Sequence, residues 1–356
     1  MLSSFSGLKM KMIYVGHLSK SPDRDSGWIR EFSDLGWELH ALSSEIKLGG
    51  PALLQRVKRR LSIGSENRAL QQNLLALCEQ VRPAWIHFRL PIEFDRSTLA
   101  KLKRRGIILT QYFNDDPFSA HAPWGLYWKF RRAITCYDGH FAFRAHNVAS
   151  FIQAGAHFAA HCPPTYDHSQ HLSARHQDKV FLADAAFIGH WENDGRENYL
   201  EALKKNGYSV ILRGGMWDSA IKGMAIGDTF PVKHAFGKEY NDIYANVMAG
   251  ICFFSKINND SWTRRPLEII AVGGLLVCER TQEAESYFKD RQEAFYFSSI
   301  AELLEIIYTL KNDLALRERV RAAGYQKLLQ TPNTIADRAR QINQFVKNKL
   351  TTNNQA

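Results

Sequence analysis

The chain has 356 residues, 45% hydrophobic and 23% charged, with a formal net charge of +10. That length suits two domains of ordinary size, and no apolar run approaches the roughly 20 residues that span a bilayer. The five cysteines, at 78, 136, 162, 252 and 278, form no Cys-x-x-Cys pair, which argues against a disulfide framework or zinc ribbon and for a reducing cytosol.

Residues 1–9 have no signal-peptide core and are expected to be dispensable, with Met10 or Met12 as alternative starts. Met12–Val15 reads as a short buried strand, Gly16–Gly27 as a polar loop, Trp28–Leu35 as a helix and Trp37–Leu42 as a second strand. This rhythm predicts a right-handed parallel βαβ unit, whose first loop lies at the carboxyl edge of the sheet, where open α/β sheets bind ligands. His17 stands in that loop. Leu53–Leu61 is a basic amphipathic helix, Asn67–Gln80 a helix, Trp85–Arg89 a strand and Arg96–Arg105 a helix. The strand Ile107–Tyr112 delivers Asn114, Asp115 and Asp116 to its carboxyl end. Paired acids there are candidates for acceptor activation or sugar binding. The plainer alternative is that Asp116 only precedes a turn at Pro117.

Trp124–Ile134, WGLYWKFRRAI, mixes aromatic and basic residues and reads either as a core-facing helix with a basic rim or as a membrane-surface segment. Gly139–Phe143 is a strand and Asn147–Ala154 a helix. Five histidines fall between His157 and His176, around Pro163-Pro164; the stretch reads as an interdomain linker rather than a metal site. The αβ rhythm then restarts. Ala185–Gly189 is a strand, Glu197–Lys205 a helix, Ser209–Arg213 a strand, Tyr240–Asn246 a helix and Ala249–Phe254 a strand. After residue 283 come a strand at Ala294–Phe297 and helices at Ile300–Leu310, Asp313–Leu329 and Ile335–Leu350. Residues 1–165 carry 22 Lys and Arg against 13 Asp and Glu, a net +9, so nearly all of the basic excess lies in this first half. Such a half favours an anionic partner.

The stretch Thr263–Glu283, TRRPLEIIAVGGLLVCERTQE, is the most informative. Pro266 suits a first helical position, which puts Glu268 in the first turn, near the positive end of the helix dipole. Gly273-Gly274 stops the helix, and Leu275–Cys278 is a continuous apolar run, as a central parallel strand requires. Arg264 and Arg265 beside a helix N-terminus make an anion site, and a carboxylate one turn in can accept from sugar hydroxyls. The pattern points to a nucleotide or nucleotide-sugar pocket. Its alternative is a carboxylate that merely complements the dipole beside solvated arginines.

Residues 107–340 resemble the CgeB-like (spore-maturation type) glycosyltransferases, relatives of the large group 1 family. The resemblance rests on YFNDDPF (112–118), AAFIGHWENDGRENYLEAL (185–203), VILRGGMW (210–217), and TRRPLEIIAVGG with LLVCERTQE, in that order. It implies a GT-B architecture, two Rossmann-like α/β domains facing across a cleft. The expected division is 1–165 for the acceptor, 166–334 for the nucleotide-sugar donor, and a last helix from 335 returning to the first domain. It also implies transfer of a sugar from a nucleotide-sugar to a saccharide or other hydroxyl acceptor, retaining and metal-independent, with no cofactor. Glu268 would hold the ribose, Arg265 and Arg196 the diphosphate, and Gly189 would let the donor approach. Arg213, ending its strand, is a further donor-side candidate. The family's second Glu corresponds to Asp260, one methylene shorter, and its Thr-Phe to Pro266-Leu267, which leaves the role of Asp260 and the stereochemistry open. Asp115, Asp116 or His17 would position or deprotonate the acceptor hydroxyl.

The basic first half suggests an acceptor that is anionic or lipid-linked, with a cytoplasmic protein peripheral at the inner face of a membrane. A catalytically inactive nucleotide-sugar-binding partner is the alternative. A nucleic-acid-binding role is disfavoured, since no recognition module is visible.

Overall fold

The computed structural model describes residues 9–18, 25–171 and 181–353. The chain divides into two compact units, Met1–Pro163 with Ile335–Ala356, and Pro164–Thr334.

In the first unit the strands are β1 (Lys11–Gly16), β2 (Glu38–Ser43), β3 (Trp85–Arg89), β4 (Ile108–Phe113), β5 (Gly139–Ala142) and β6 (Ala159–His161). The helices between them are α1 (Ser26–Asp34), α2 (Ala52–Leu61), α3 (Ser65–Val81), α4 (Arg96–Arg104), α5 (Trp128–Ala133) and α6 (Ala145–Gln153). All six strands are parallel, in the order β2-β1-β3-β4-β5-β6. Each central strand is buried on both faces, which is why it reads as an unbroken apolar run. Ile13 and Val15 point into one core with Leu74, Phe88 and Phe130. Met12 and Tyr14 point into the other with Trp28 and Phe32.

The second unit contains α7 (His168–His171), β7 (Ala185–Ile188), α8 (Arg196–Lys205), β8 (Val210–Arg213), α9 (Gly237–Asn246), β9 (Ala249–Cys252), α10 (Arg264–Ala271), β10 (Leu276–Glu279), α11 (Gln282–Tyr287), β11 (Phe295–Phe297), α12 (Ile300–Asn312) and α13 (Leu314–Gln330). Its five parallel strands run β11-β10-β9-β7-β8. The final helix α14 (Ile335–Asn353) belongs to the first unit. It buries Ala339, Ile342 and Val346 in the core that holds Met12 and Tyr14, and Asn343 Oδ1 accepts from Trp37 Nε1 at 2.8 Å.

Three expectations differ. The boundary between the units does fall in the linker stretch, between Pro163 and Pro164, but the stretch also holds β6 and α7: Cys162 is fully buried, and burial pushes its thiol up to about 12, so it belongs to a core. His176 and the loop residues 19–24 lie outside the described residues. The aromatic stretch is helical only from Trp128, and it splits: Phe130 and Ala133 are buried while Trp124 and Trp128 are exposed. Finally, α10 begins at Arg264, so Pro266 is its third residue and Glu268 lies in the second turn, not the first. Proline is still tolerated there, because the first four N–H groups of a helix have no intrahelical acceptor.

Candidate functional site

In the second unit the strand order reverses between β7 and β9, so the ligand crevice expected of such a sheet lies beyond their carboxyl ends. Gly189 follows β7, and the loop after β9 leads into α10. The first two residues of α10 are therefore cations at the positive end of a helix dipole, an unfavourable placement unless negative charge compensates it. Arg264 is compensated within the helix: its Nε and Nη2 donate to Glu268 Oε1 at 3.0 and 2.6 Å. Tyr240 of α9 donates its hydroxyl to Glu268 Oε2 at 2.8 Å. Glu268 is buried, which alone would raise its pKa. The Arg264 charge, His171 and the two donors overcome that and hold it near 2. It is an ionised acceptor at any working pH, and since a carboxylate offers about four lone-pair sites, room remains for a further donor.

Arg265 is placed differently. Its guanidinium lies 5.3 Å from the centroid of the Phe187 ring and beside Gly189, where a Cβ would come within 3.0 Å of Nη2. Burial opposes its charge, but Tyr244, Cys252, Tyr240 and Glu268 around it hold its pKa above the usual value. Among the described residues no carboxylate lies within ion-pair distance of it. Gly189 itself is fixed by neighbours: its N–H donates to Arg213 O at 2.9 Å and its carbonyl accepts from Trp217 Nε1 at 2.8 Å. Gly214, at φ +132°, packs so closely that an added Cβ would lie 1.9 Å from the Gly189 carbonyl oxygen.

Arg196 is committed to its own loop. Nε and Nη2 grip the Asp194 carboxylate at 2.8 and 2.6 Å, and Nη1 donates to His190 O at 2.7 Å. With every nitrogen donating to protein, it shapes the 190–195 loop rather than offering a free fork to a diphosphate. Arg213 Nη1 donates to Leu212 O, and its Nε lies 3.5 Å from Glu239. Asp260 stands in the loop between β9 and α10, its N–H donating to Ser255 O at 2.9 Å. Thus α10 brings together Glu268, Arg265 and Gly189, with Tyr240 and Phe187 as partners that sequence reading did not single out. Tyr240 gives no local signal, because it reaches Glu268 only through the packing of α9 on α10.

In the first unit the order reverses between β1 and β3. There the buried Arg89, last residue of β3, pairs with buried Asp25 at the start of α1. Neither was singled out from the sequence. Asp115 and Asp116 have different partners. Asp116 is buried in a turn: Oδ1 accepts from Phe118 N and Asn147 Nδ2, both at 2.9 Å, and Oδ2 lies 3.2 Å from His146 Nε2. That is the turn reading. Asp115 is half-buried, accepts from the Tyr127 hydroxyl at 3.2 Å, and is held above the usual carboxylate range by burial, against the opposing pull of Arg144, Tyr127, Arg89 and His17. His17 thus shares the field of Asp115; its Nδ1 also lies 3.9 Å from Glu45. Among the described residues there is no group of three or more His, Cys, Asp or Glu side chains able to hold a metal ion.

Residues 196–344 match the sequence profile of a family described as glycosyl transferase-like. No curated protein matches the chain. Sucrose-phosphate synthase from Thermosynechococcus elongatus superposes with a TM-score of 0.71 at 10% identity, over 97% of this chain and 100% of that one. A glycosyltransferase from Rickettsia africae gives 0.67 at 12% identity, over 96% and 99%. HepE from Anabaena in complex with UDP-glucose gives 0.63 at 12% identity, over 96% and 100%. The architecture is the GT-B one, two parallel-sheet Rossmann-like units, and the second unit carries the glycosyl transferase-like sequence.

Proposed function

We propose that the chain is a glycosyltransferase of the CgeB-like kind, moving a sugar from a nucleotide-sugar donor to a hydroxyl acceptor without metal or cofactor. The observation that carries this reading is Arg265: a cation at the N-terminus of α10, beside Gly189 at the sheet's reversal point, with no carboxylate within ion-pair distance among the described residues. A diphosphate supplies the missing charge, and in the transition state the guanidinium and the helix N-terminus stabilise the departing oxygen. Glu268, ionised and oriented by Arg264 and Tyr240, accepts from the ribose hydroxyls. Arg196 holds the 190–195 loop that borders them. Asp115 of the first unit takes the acceptor proton, assisted by His17. The acceptor is an anionic or lipid-linked saccharide, in keeping with the +9 charge of residues 1–165.

A thermal-shift screen of UDP, GDP, ADP, CMP and dTDP tests the donor site. A nucleotide at 100 times its Kd stabilises by about 2.7 kcal/mol. One base should do so in the wild type, and Glu268→Ala and Arg265→Ala should each lose the shift. If no nucleotide shifts the protein, the reading fails. Turnover then separates an enzyme from an inactive binder: Asp115→Asn should keep the nucleotide shift and lose transfer, which should itself be insensitive to EDTA.

A further inference from the structure

We propose that α2 and the turn preceding α5 form a docking surface for an anionic lipid bilayer. None of the ten residues of α2 is buried, although four of them are large aliphatics. Leu53 is 75% exposed, and Leu54 and Val57 are exposed as well. Residues 53, 57 and 61 recur at the i, i+4 interval, so they line one side of the helix. At the end of that stripe Leu61 meets the second apolar segment: the Trp128 indole donates to Leu61 O at 2.8 Å, and Gly125 packs so near that a Cβ would lie 2.7 Å from Leu61 Cδ2. Trp124, one residue before Gly125, is 79% exposed, and Trp128 and Ile63 are exposed beside it. A tryptophan turn tied to an aliphatic helix stripe is an amphipathic assembly from two parts of the chain. Among the described residues of its own unit nothing else buries it.

Charge decides what covers it. Between residues 46 and 65 the sequence has Lys47, Arg56, Lys58, Arg59 and Arg60 and no Asp or Glu; between 117 and 137 it has Arg131 and Arg132, besides a buried Lys129 that donates to Asn67, and again no acid. Arg56 and Arg60 stand three positions after Leu53 and Val57, so they flank the apolar stripe. Among the described residues neither makes an ion pair, whereas Lys58 is paired with Glu66. An apolar stripe flanked by arginines and finished by tryptophan suits the boundary between acyl chains and anionic headgroups, where long basic side chains reach back to phosphate and indoles sit at headgroup depth. A nucleic acid would use the arginines and leave Leu53, Val57 and Trp124 in water. The surface is independent of sugar transfer, and its test needs no donor.

The test is co-sedimentation with phosphatidylcholine vesicles, with and without one part in three of phosphatidylglycerol. Wild type is compared with Leu53→Ser/Val57→Ser/Trp124→Ser and with Arg56→Glu/Arg60→Glu. All five positions are exposed, so an unchanged melting temperature controls for folding. The expected result is binding to the anionic vesicles only, falling with salt, and weakened roughly tenfold or more by each set of substitutions. No binding to anionic vesicles at low salt overturns the proposal, and so does binding that neither set alters. A concentration-dependent dimer abolished by the apolar set assigns the surface to a second copy instead. Retention by single-stranded RNA without vesicle binding assigns it to nucleic acid. Either outcome overturns the lipid assignment.

Discussion

At the scale of single residues, Glu268 links the site to stability. Its folded pKa of about 2 lies below the ordinary 4.5 despite burial, because Arg264, His171 and Tyr240 favour the carboxylate. A depressed carboxyl contributes stability that is complete above its unfolded pKa and is lost as pH falls toward the folded one. The window is therefore pH 4.5 down to 2, and the difference corresponds to about 3 kcal/mol. Melting temperatures measured from pH 6 to pH 3 should fall more steeply in the wild type than in Glu268→Gln, which has no proton to gain. Parallel curves would mean that Arg264 and Tyr240 do not favour the ionised form. Asp115 has the opposite sign: its raised pKa means that a base at this position begins to work only above the usual carboxylate range. An acid limb in kcat/KM shifted upward from ordinary aspartate behaviour is expected. Of these two residues the sequence displayed the identities but not the settings, since Tyr240 lies 28 positions from Glu268 and Arg89 lies 26 from Asp115. Such partners are set by packing, and no local spacing encodes them.

At the scale of elements, legibility followed length and apolar continuity. β3 runs over the expected Trp85–Arg89, and α8, α9 and α12 lie within a few residues of expectation, because each presents an apolar run or stripe with clear flanks. β6 was read as linker because three residues, Ala159–His161, are too few to show a period and sit among histidines and prolines. α11 gives little signal because its six residues have no apolar face to speak of; only the Thr281 hydroxyl, accepting from Ala284 N, announces it. The start of α10 differs from expectation because proline is acceptable anywhere in a first turn and does not fix the register. The turns after β7 and β8 are the elements on which the site depends most. Gly214→Ala puts a Cβ against the Gly189 carbonyl, which is backbone and cannot swing away, at a φ that L residues rarely adopt. A loss of at least about 2 kcal/mol is expected, together with loss of the nucleotide shift, since Gly189 would move away from Arg265. Gly207→Ala is the control: its φ of +81° carries strain, but nothing lies within 4 Å of the added Cβ. It should cost about 1 kcal/mol and leave binding intact. Equal effects of the two substitutions on binding would show that Gly189 and Gly214 do not shape the site together.

At the scale of the whole molecule, the two units are built unequally along the chain. The second is continuous, from Pro164 to Thr334, with both faces of its sheet covered by its own helices. The first is discontinuous: one face of its sheet is covered by α1 together with α14, whose Ala339, Ile342 and Val346 are fully buried and whose Phe345 stacks on Phe158 at 4.4 Å. Gly139 is the glycine that admits this helix, since a Cβ there would lie 2.7 Å from the Phe345 ring. The glycosyl transferase-like match likewise runs past Thr334 to residue 344, into α14. A fragment of residues 164–334 should therefore fold alone, melt cooperatively and keep the nucleotide shift of the full chain. A fragment of residues 1–163 should not fold, because Trp37, Phe141 and Phe158 would lose the helix that packs on them and face water. Adding residues 335–353 to the first fragment, in trans or through a short linker, should restore cooperative melting by supplying the missing face. Deleting the same residues from the full chain should abolish sugar transfer while the nucleotide shift survives. If the 1–163 fragment folds unaided, α14 is an accessory to the first unit rather than part of its core. If the 164–334 fragment folds but binds no nucleotide, the donor site needs residues beyond the second unit, and the assignment of Arg265 and Glu268 as its sufficient core is wrong.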